Sequence, residues 1–219
     1  MIPMQSAPAS TYQGGFSEPV FDAQTVFRQI MNAMARPGTI ATFAPLTSPP
    51  APLLAAMGSI AATLFDQDTT IWLEPTLSAS RDVVNWLTFH TSAPLTTQAF
   101  EADFALFADA KALSSFENHA QGTQEYPDRS TTILLQIDSL LGGPPLQMSG
   151  PGIGDQACIT PVGLPDLFCQ RMPTMGDQWT AVSARRRSDA GGPRGCVRTA
   201  THSQDSHWMN QPGKYPSCM

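Results

Sequence analysis

Basic side chains are scarce in this chain, twelve lysines and arginines against eighteen acidic residues, for a net charge of -6. A basic residue in an ordered context therefore stands out as a candidate for gripping an anion. Arg28, Arg36 and Arg129 are the main candidates ahead of the C-terminal tail. The planar fork of a guanidinium matches two oxygens of a phosphate or phosphonate group, and that is the chemistry they could supply. Structural readings compete with it. Arg36, in the last turn of an expected helix, would complement the dipole, Arg28 would be solvated or salt-bridged, and Arg129 would pair with its neighbour Asp128 or shape a turn. His90 follows Phe89 where another helix should end. There the dipole favours an imidazolium that can bond free carbonyls, with general acid-base catalysis as the alternative role. His119 stands in no special context.

Other motifs point away from chemistry. The glycine-rich run Gly150-Pro151-Gly152-Ile153-Gly154 invites a phosphate-cradle reading, but no lysine with serine or threonine follows at P-loop spacing, and Pro151 removes one amide donor. A hairpin exit is the better account. No Ser-His-Asp set, nucleophile elbow or paired-carboxylate motif is recognisable by spacing. Cys158, Cys169, Cys196 and Cys218 form no CxxC pair and have no histidine at zinc-finger spacing, so they read as reduced thiols without a metal.

These side chains need a scaffold, and its anchor is the stretch from Asp22 to Gly38. Asp22 is a suitable N-cap, and Val26, Phe27, Ile30, Met31 and Met34 recur at helical spacing, so one apolar stripe should be buried against a larger body. Pro37-Gly38 ends the helix and Thr39 to Phe43 reads as a strand. A second helix carries Leu53, Leu54, Met57, Ile60, Ala61 and Leu64 on one face, and Thr70 to Leu73 follows as an apolar strand. Strand, helix, strand predicts a parallel crossover. A third helix spans Ser80 to Phe89, Phe104 to Ala108 is a buried strand, and Ala110 to Ala120 a short helix. In Ser130 to Leu140, Ile133, Leu135 and Ile137 alternate with Gln136 and Asp138, which predicts the clearest strand of the chain. Gly142-Gly143-Pro144 should turn it back onto an antiparallel partner at Leu146 to Ser149. The fold class is α/β, a mixed sheet flanked by helices, over residues 16–171. Residues 1–15 read as a loose lead and 172–219 as an atypical, irregular tail.

With 42% apolar residues the chain can bury a sizeable core. Its acidic balance argues against nucleic acid as a partner. No window reaches the length needed to cross a bilayer and the first residues lack a secretion signal, so the expected location is cytoplasmic, with no membrane partner.

Taken in order, FDAQTVFRQIMNAMARPG, DTTIWL, Phe89-His90-Thr91, STTILLQIDSL and the closing GPGI resemble the PhnH family, a subunit of the bacterial carbon-phosphorus lyase machinery for phosphonate breakdown. The resemblance runs from about Phe16 to Pro165. It implies a fold similar to the large domain of type I pyridoxal-phosphate aminotransferases, without that cofactor. It also implies work beside subunits of the PhnG, PhnI and PhnL type, transferring a phosphonate to the ribose of ATP, so that ATP would be a substrate of the complex and the chain a homodimer or part of a hetero-oligomer. The residues speak independently against pyridoxal phosphate. A Schiff base needs a lysine, and only Lys111, in a weak connector, and Lys214, in the tail, exist. The alternatives are a non-catalytic scaffold of that complex or an unrelated anion-binding α/β enzyme.

From about Met172 the composition turns to Ser, Thr, Gly and Gln with the run Arg185-Arg186-Arg187, and helix or strand periodicity is lost. A basic disordered tail is one reading. Another is a slip of reading frame between about Cys169 and Gly176. Codons compatible with GDQWTAVSARRRSD also permit ATNGRLFPRGVDL, and those for TATHSQDS permit a Pro-Arg-x-Thr-Arg run. The family resemblance implies a similar ending, a Phe-Pro-Arg-Gly turn, an apolar strand and Pro-Arg-Thr-Thr.

Overall fold

Proline, with no amide to leave unpaired, favours the first position of a helix, and the first helix starts there: α1 spans Pro19–Met34. The computed structural model describes residues 12–123, 125–148, 153, 157–165, 167, 182–185 and 195–197. Asp22 is therefore not the N-cap. It lies in the first turn, where its carboxylate accepts from the Glu18 amide at 3.0 Å and the Ser17 hydroxyl at 3.3 Å. The helix ends at Met34, so Arg36 sits beyond the last turn, and Gly38 takes the left-handed φ of 86° that turns the chain into strand β1, Ala41–Phe43.

Helix α2 is Ala55–Leu64, buried through Ala56, Met57, Ile60 and Ala61. Strand β2, Ile71–Leu73, leads to the single turn α3, Pro75–Ser78, and to α4, Arg81–Thr91, whose N-cap Ser80 accepts from the Val83 amide. Short β3, Leu95–Thr96, precedes β4, Phe104–Phe107, and β5 is Thr132–Ile137. Strands β6, Leu146–Met148, β7, Ala157–Ile159, β8, Val182–Arg185, and β9, Gly195–Val197, complete the described elements.

The centre is a five-stranded parallel sheet in the order β3-β2-β4-β5-β8. Its two faces are built differently. One is sealed by helices, with Val26 and Ile30 of α1, Met57 and Ile60 of α2, and Trp86 and Leu87 of α4 over Ile71, Leu73, Leu106 and Leu134. The other carries Ala105, Phe107, Ile133, Leu135 and Ile137 and is covered by Leu113, Phe116, Leu164 and Leu167 from outside the α-helices and named strands. Covered on both sides, β5 is buried from Ile133 to Ile137 without a break. Gln136 is thus no solvent-facing residue of an alternating strand.

Several pairings differ from those expected. Strand β1 does not cross over to β2 but pairs antiparallel with β9. Strand β6 pairs antiparallel with β7 rather than folding back on β5, whose flanks are taken by β4 and β8. The Ala110 to Ala120 helix shrinks to one 3-10 turn, Ala110–Ala112. Residues 182–185 and 195–197 pair as strands although their side chains show no period of two. Main-chain groups make a ladder whatever the side chains, and the open edge of β5 offers a row of them. The lead residues 1–11, the glycine-rich run apart from Ile153, Cys169, Cys218, Lys214 and the rest of the tail lie outside the described residues.

Candidate functional site

In a parallel sheet every strand ends on the same edge, and loops leaving that edge can converge on a ligand. Here the carboxyl ends of β4 and β5 meet the start of α2 at a cleft of about 180 Å³, lined by Leu54, Ala108, Asp109, Lys111, Gln136, Ile137, Asp138 and Gly163. Gln136 ties its wall together. Its Oε1 accepts from the Leu54 amide at 2.7 Å, while Nε2 donates to the carbonyls of Pro52 at 3.1 Å and Ala108 at 3.2 Å. A side chain from the carboxyl end of β5 therefore fixes the approach to α2. Asp109 is held by accepting from the Lys111 amide at 3.0 Å, which sets the loop that carries both residues.

This arrangement offers an ammonium and the amino end of a helix, both attractive to an anion, beside two exposed carboxylates able to accept from hydroxyl or amine groups. Among the described residues no group of three or more His, Cys, Asp or Glu could hold a metal ion.

The residues singled out from the sequence are scattered, and none lines this cleft. Arg28 is exposed on α1 and Arg36 exposed just beyond it. Arg129 lies in the 3-10 turn Pro127–Arg129, before β5 and hence at the opposite edge of the sheet, with its guanidinium 4.4 Å over the Tyr126 ring. His90 is in the last turn of α4, its ring 4.6 Å from Trp86 and its Nε2 3.1 Å from the carbonyl of Tyr12. Trp86 Nε1 donates to the Gln13 carbonyl at 2.9 Å, and a Cβ at Gly15 would run into the His90 ring. His90 and Trp86 together clasp residues 12–15 to α4. Burial lowers the His90 pKa against the opposing bond to Tyr12, which counters the charged imidazolium expected at a helix end.

Sequence reasoning passed over two buried polar groups. His119, 4% exposed, packs edge-on to Trp72 and Phe107, and its pKa is lowered by burial against a bond to the Ala99 carbonyl. Glu74, 2% exposed, caps α3 by accepting from the Thr76 amide. Its Oε1 and the Nδ1 of His119 find no partner among the described residues. Sequence reasoning also dismissed Lys111 as a connector residue and left Asp109 unmarked. The available signal was position: both lie within four residues of the carboxyl end of an apolar parallel strand, where clefts form.

Residues 14–180 match the family model described as bacterial phosphonate metabolism protein (PhnH). The chain belongs to the PhnH family. It is also 47% identical over 179 residues, 82% of this chain and 86% of the relative, to the alpha-D-ribose 1-methylphosphonate 5-triphosphate synthase subunit PhnH of Rhizobium meliloti (strain 1021). The family match covers every strand and helix from α1 to β7 and both walls of the cleft, and it ends just before β8. PhnH-family membership removes the reading of an unrelated anion-binding enzyme.

Proposed function

We propose that this chain is a subunit of a complex that makes alpha-D-ribose 1-methylphosphonate 5-triphosphate during organic phosphonate breakdown. One observation carries the reading, the 47% identity to a synthase subunit across 86% of that relative's length. Identity at that level over most of both chains goes with a shared fold, and it supports a shared place in the complex. In this reading ATP and a phosphonate are substrates of the complex, and subunits of the PhnG, PhnI and PhnL type are its partners. The chain works in the cytoplasm without covalently held pyridoxal phosphate. Among the described residues no helix is long and apolar enough to cross a membrane. The helix-backed parallel sheet is compatible with descent from the aminotransferase large domain, with Lys111 at the strand ends too exposed to favour a Schiff base.

A scaffolding role within the complex is the second reading, favoured by Phe27, Met31 and Met34 standing exposed on α1. Deleting the gene from its host and supplying methylphosphonate as the sole phosphorus source tests membership. Growth is expected to stop and to return with the gene. Undiminished growth of the deletion strain would end the proposal. Complementation with Lys111→Ala and Asp138→Ala then separates a cleft that acts from one that only packs.

A further inference from the structure

An α-helix in a folded chain normally hides its apolar stripe, because each large side chain left in water forgoes the gain from burial. Helix α1 hides only part of its stripe. Val26, Ile30 and Ala33 are buried, whereas Val20 is 65%, Phe27 46%, Met31 45% and Met34 36% exposed. Spacings of seven, four and three residues put these four on one line, about 60° wide at 100° per residue and about 21 Å long at 1.5 Å per residue. The line lies next to the buried stripe. Together they make a row of ridges and grooves continuous with the core, with an apolar area on the order of a few hundred Å², the scale of a functional patch.

Charge decides what fits there. Arg28 flanks the exposed line and Arg36 stands beyond its end, both exposed, and no carboxylate pairs with either among the described residues. A second copy is a poor occupant. Two α1 helices packed antiparallel about Phe27 would bring their Arg28 groups, one residue from the crossing, towards each other. An amphipathic helix with an apolar stripe and acidic flanks is complementary on both counts, and its length need not exceed four turns.

We propose that the Val20, Phe27, Met31 and Met34 line of α1, with Arg28 and Arg36, is the docking surface for an acidic amphipathic helix of another subunit of the synthase complex. The inference rests on the complex-membership reading and adds the surface and the chemistry of the partner. The methionines suit such a seam because their unbranched side chains adapt to the facing knobs. The partner's carboxylates would meet arginines able to bond them in pairs.

The test uses the full chain co-expressed with the remaining synthase subunits of its host, as wild type, Phe27→Glu, Met31→Glu, Arg28→Glu and the control Leu141→Glu, an exposed apolar residue outside α1. Co-elution is read by size exclusion and affinity by titration of the purified chain. Phe27→Glu and Met31→Glu are expected to weaken binding at least about 30-fold, as loss of a central apolar anchor does. Arg28→Glu should weaken it less and flatten its salt dependence, and Leu141→Glu should leave it unchanged. Wild-type co-elution with equal affinity for Phe27→Glu overturns the surface while leaving complex membership standing. Absence of wild-type co-elution overturns both. A dimer of the isolated chain that Phe27→Glu disperses would assign the line to a second copy. A fall of more than about 4 °C in the thermal midpoint of isolated Phe27→Glu would show the line covered by the chain itself. Either of these results overturns the proposal.

Discussion

Replacing Gln136 with alanine should cost this fold about 3 kcal/mol, a large loss for a polar residue in a strand. The side chain is 6% exposed and makes three hydrogen bonds, from the Leu54 amide and to the carbonyls of Pro52 and Ala108. Each is worth about 1 kcal/mol net, and truncation leaves three partly buried main-chain groups without a partner. Water can enter from the cleft that Gln136 helps to line and satisfy some of them, which holds the cost near the simple sum. For a chain of this size each kcal/mol moves the thermal midpoint by about 2–4 °C, so Gln136→Ala should melt roughly 6–12 °C lower. Gln136→Leu separates the causes, because it restores volume but no hydrogen bond, and should recover little. The assay is urea unfolding of the purified chain followed by far-UV circular dichroism, with wild type and both variants at pH 7.5. A midpoint for Gln136→Ala within about 0.5 kcal/mol of wild type, or full recovery by leucine, would refute the claim that this side chain joins β5 to α2.

Other perturbations have equally definite outcomes. Ser80→Ala removes the acceptor for the Val83 amide and should lower stability by about 1 kcal/mol, measured by the same unfolding curves. Gly15→Ala should push residues 12–15 off the His90 ring, giving faster amide exchange there with the core unchanged, whereas equal exchange would show that the clasp does not depend on close approach. The folded pKa values of His90 and His119 are both lowered below 6.5 by burial. The unfolded chain therefore takes up protons first as the pH falls, so the stability these groups contribute is complete above about pH 6.5 and drains away below it. For buried His119 the slope is at most about 1.4 kcal/mol per pH unit, and unfolding midpoints between pH 7.5 and 5 should fall less steeply in His119→Phe. A midpoint that rises towards pH 5 contradicts the sign.

How far the sequence could be read follows from what each element depends on. Ser80 and the apolar face of Val83, Trp86 and Leu87 are local signals, and α4 forms where they place it. Buried β2 and β4 were also legible as runs of large apolar side chains, and β5 as a strand from its alternation. Gln136 was misread because period two describes a sheet wet on one side, and this sheet is covered on both. Strand partners depend on contacts remote in the chain, so β6 was assigned to its sequence neighbour β5 when β7 is its partner. Of the α1 stripe expected to be buried, Val26 and Ile30 pack inside while Phe27, Met31 and Met34 stand exposed, and nothing in its periodicity distinguishes the two sets. The cleft escaped because Asp109, Lys111 and Asp138 are adjacent only through the parallel register of β4 and β5. The arginines, chosen for their chemistry alone, lie away from the cleft, Arg28 and Arg36 along and just beyond α1 and Arg129 in the turn before β5.

Membership of a phosphonate-transferring assembly is tested most directly by omission. The other synthase subunits, ATP and methylphosphonate are combined with and without this chain, and the product is followed by phosphorus NMR. The ribose 1-methylphosphonate triphosphate signal should grow only when the chain is present, and growth at the same rate in its absence would contradict the account.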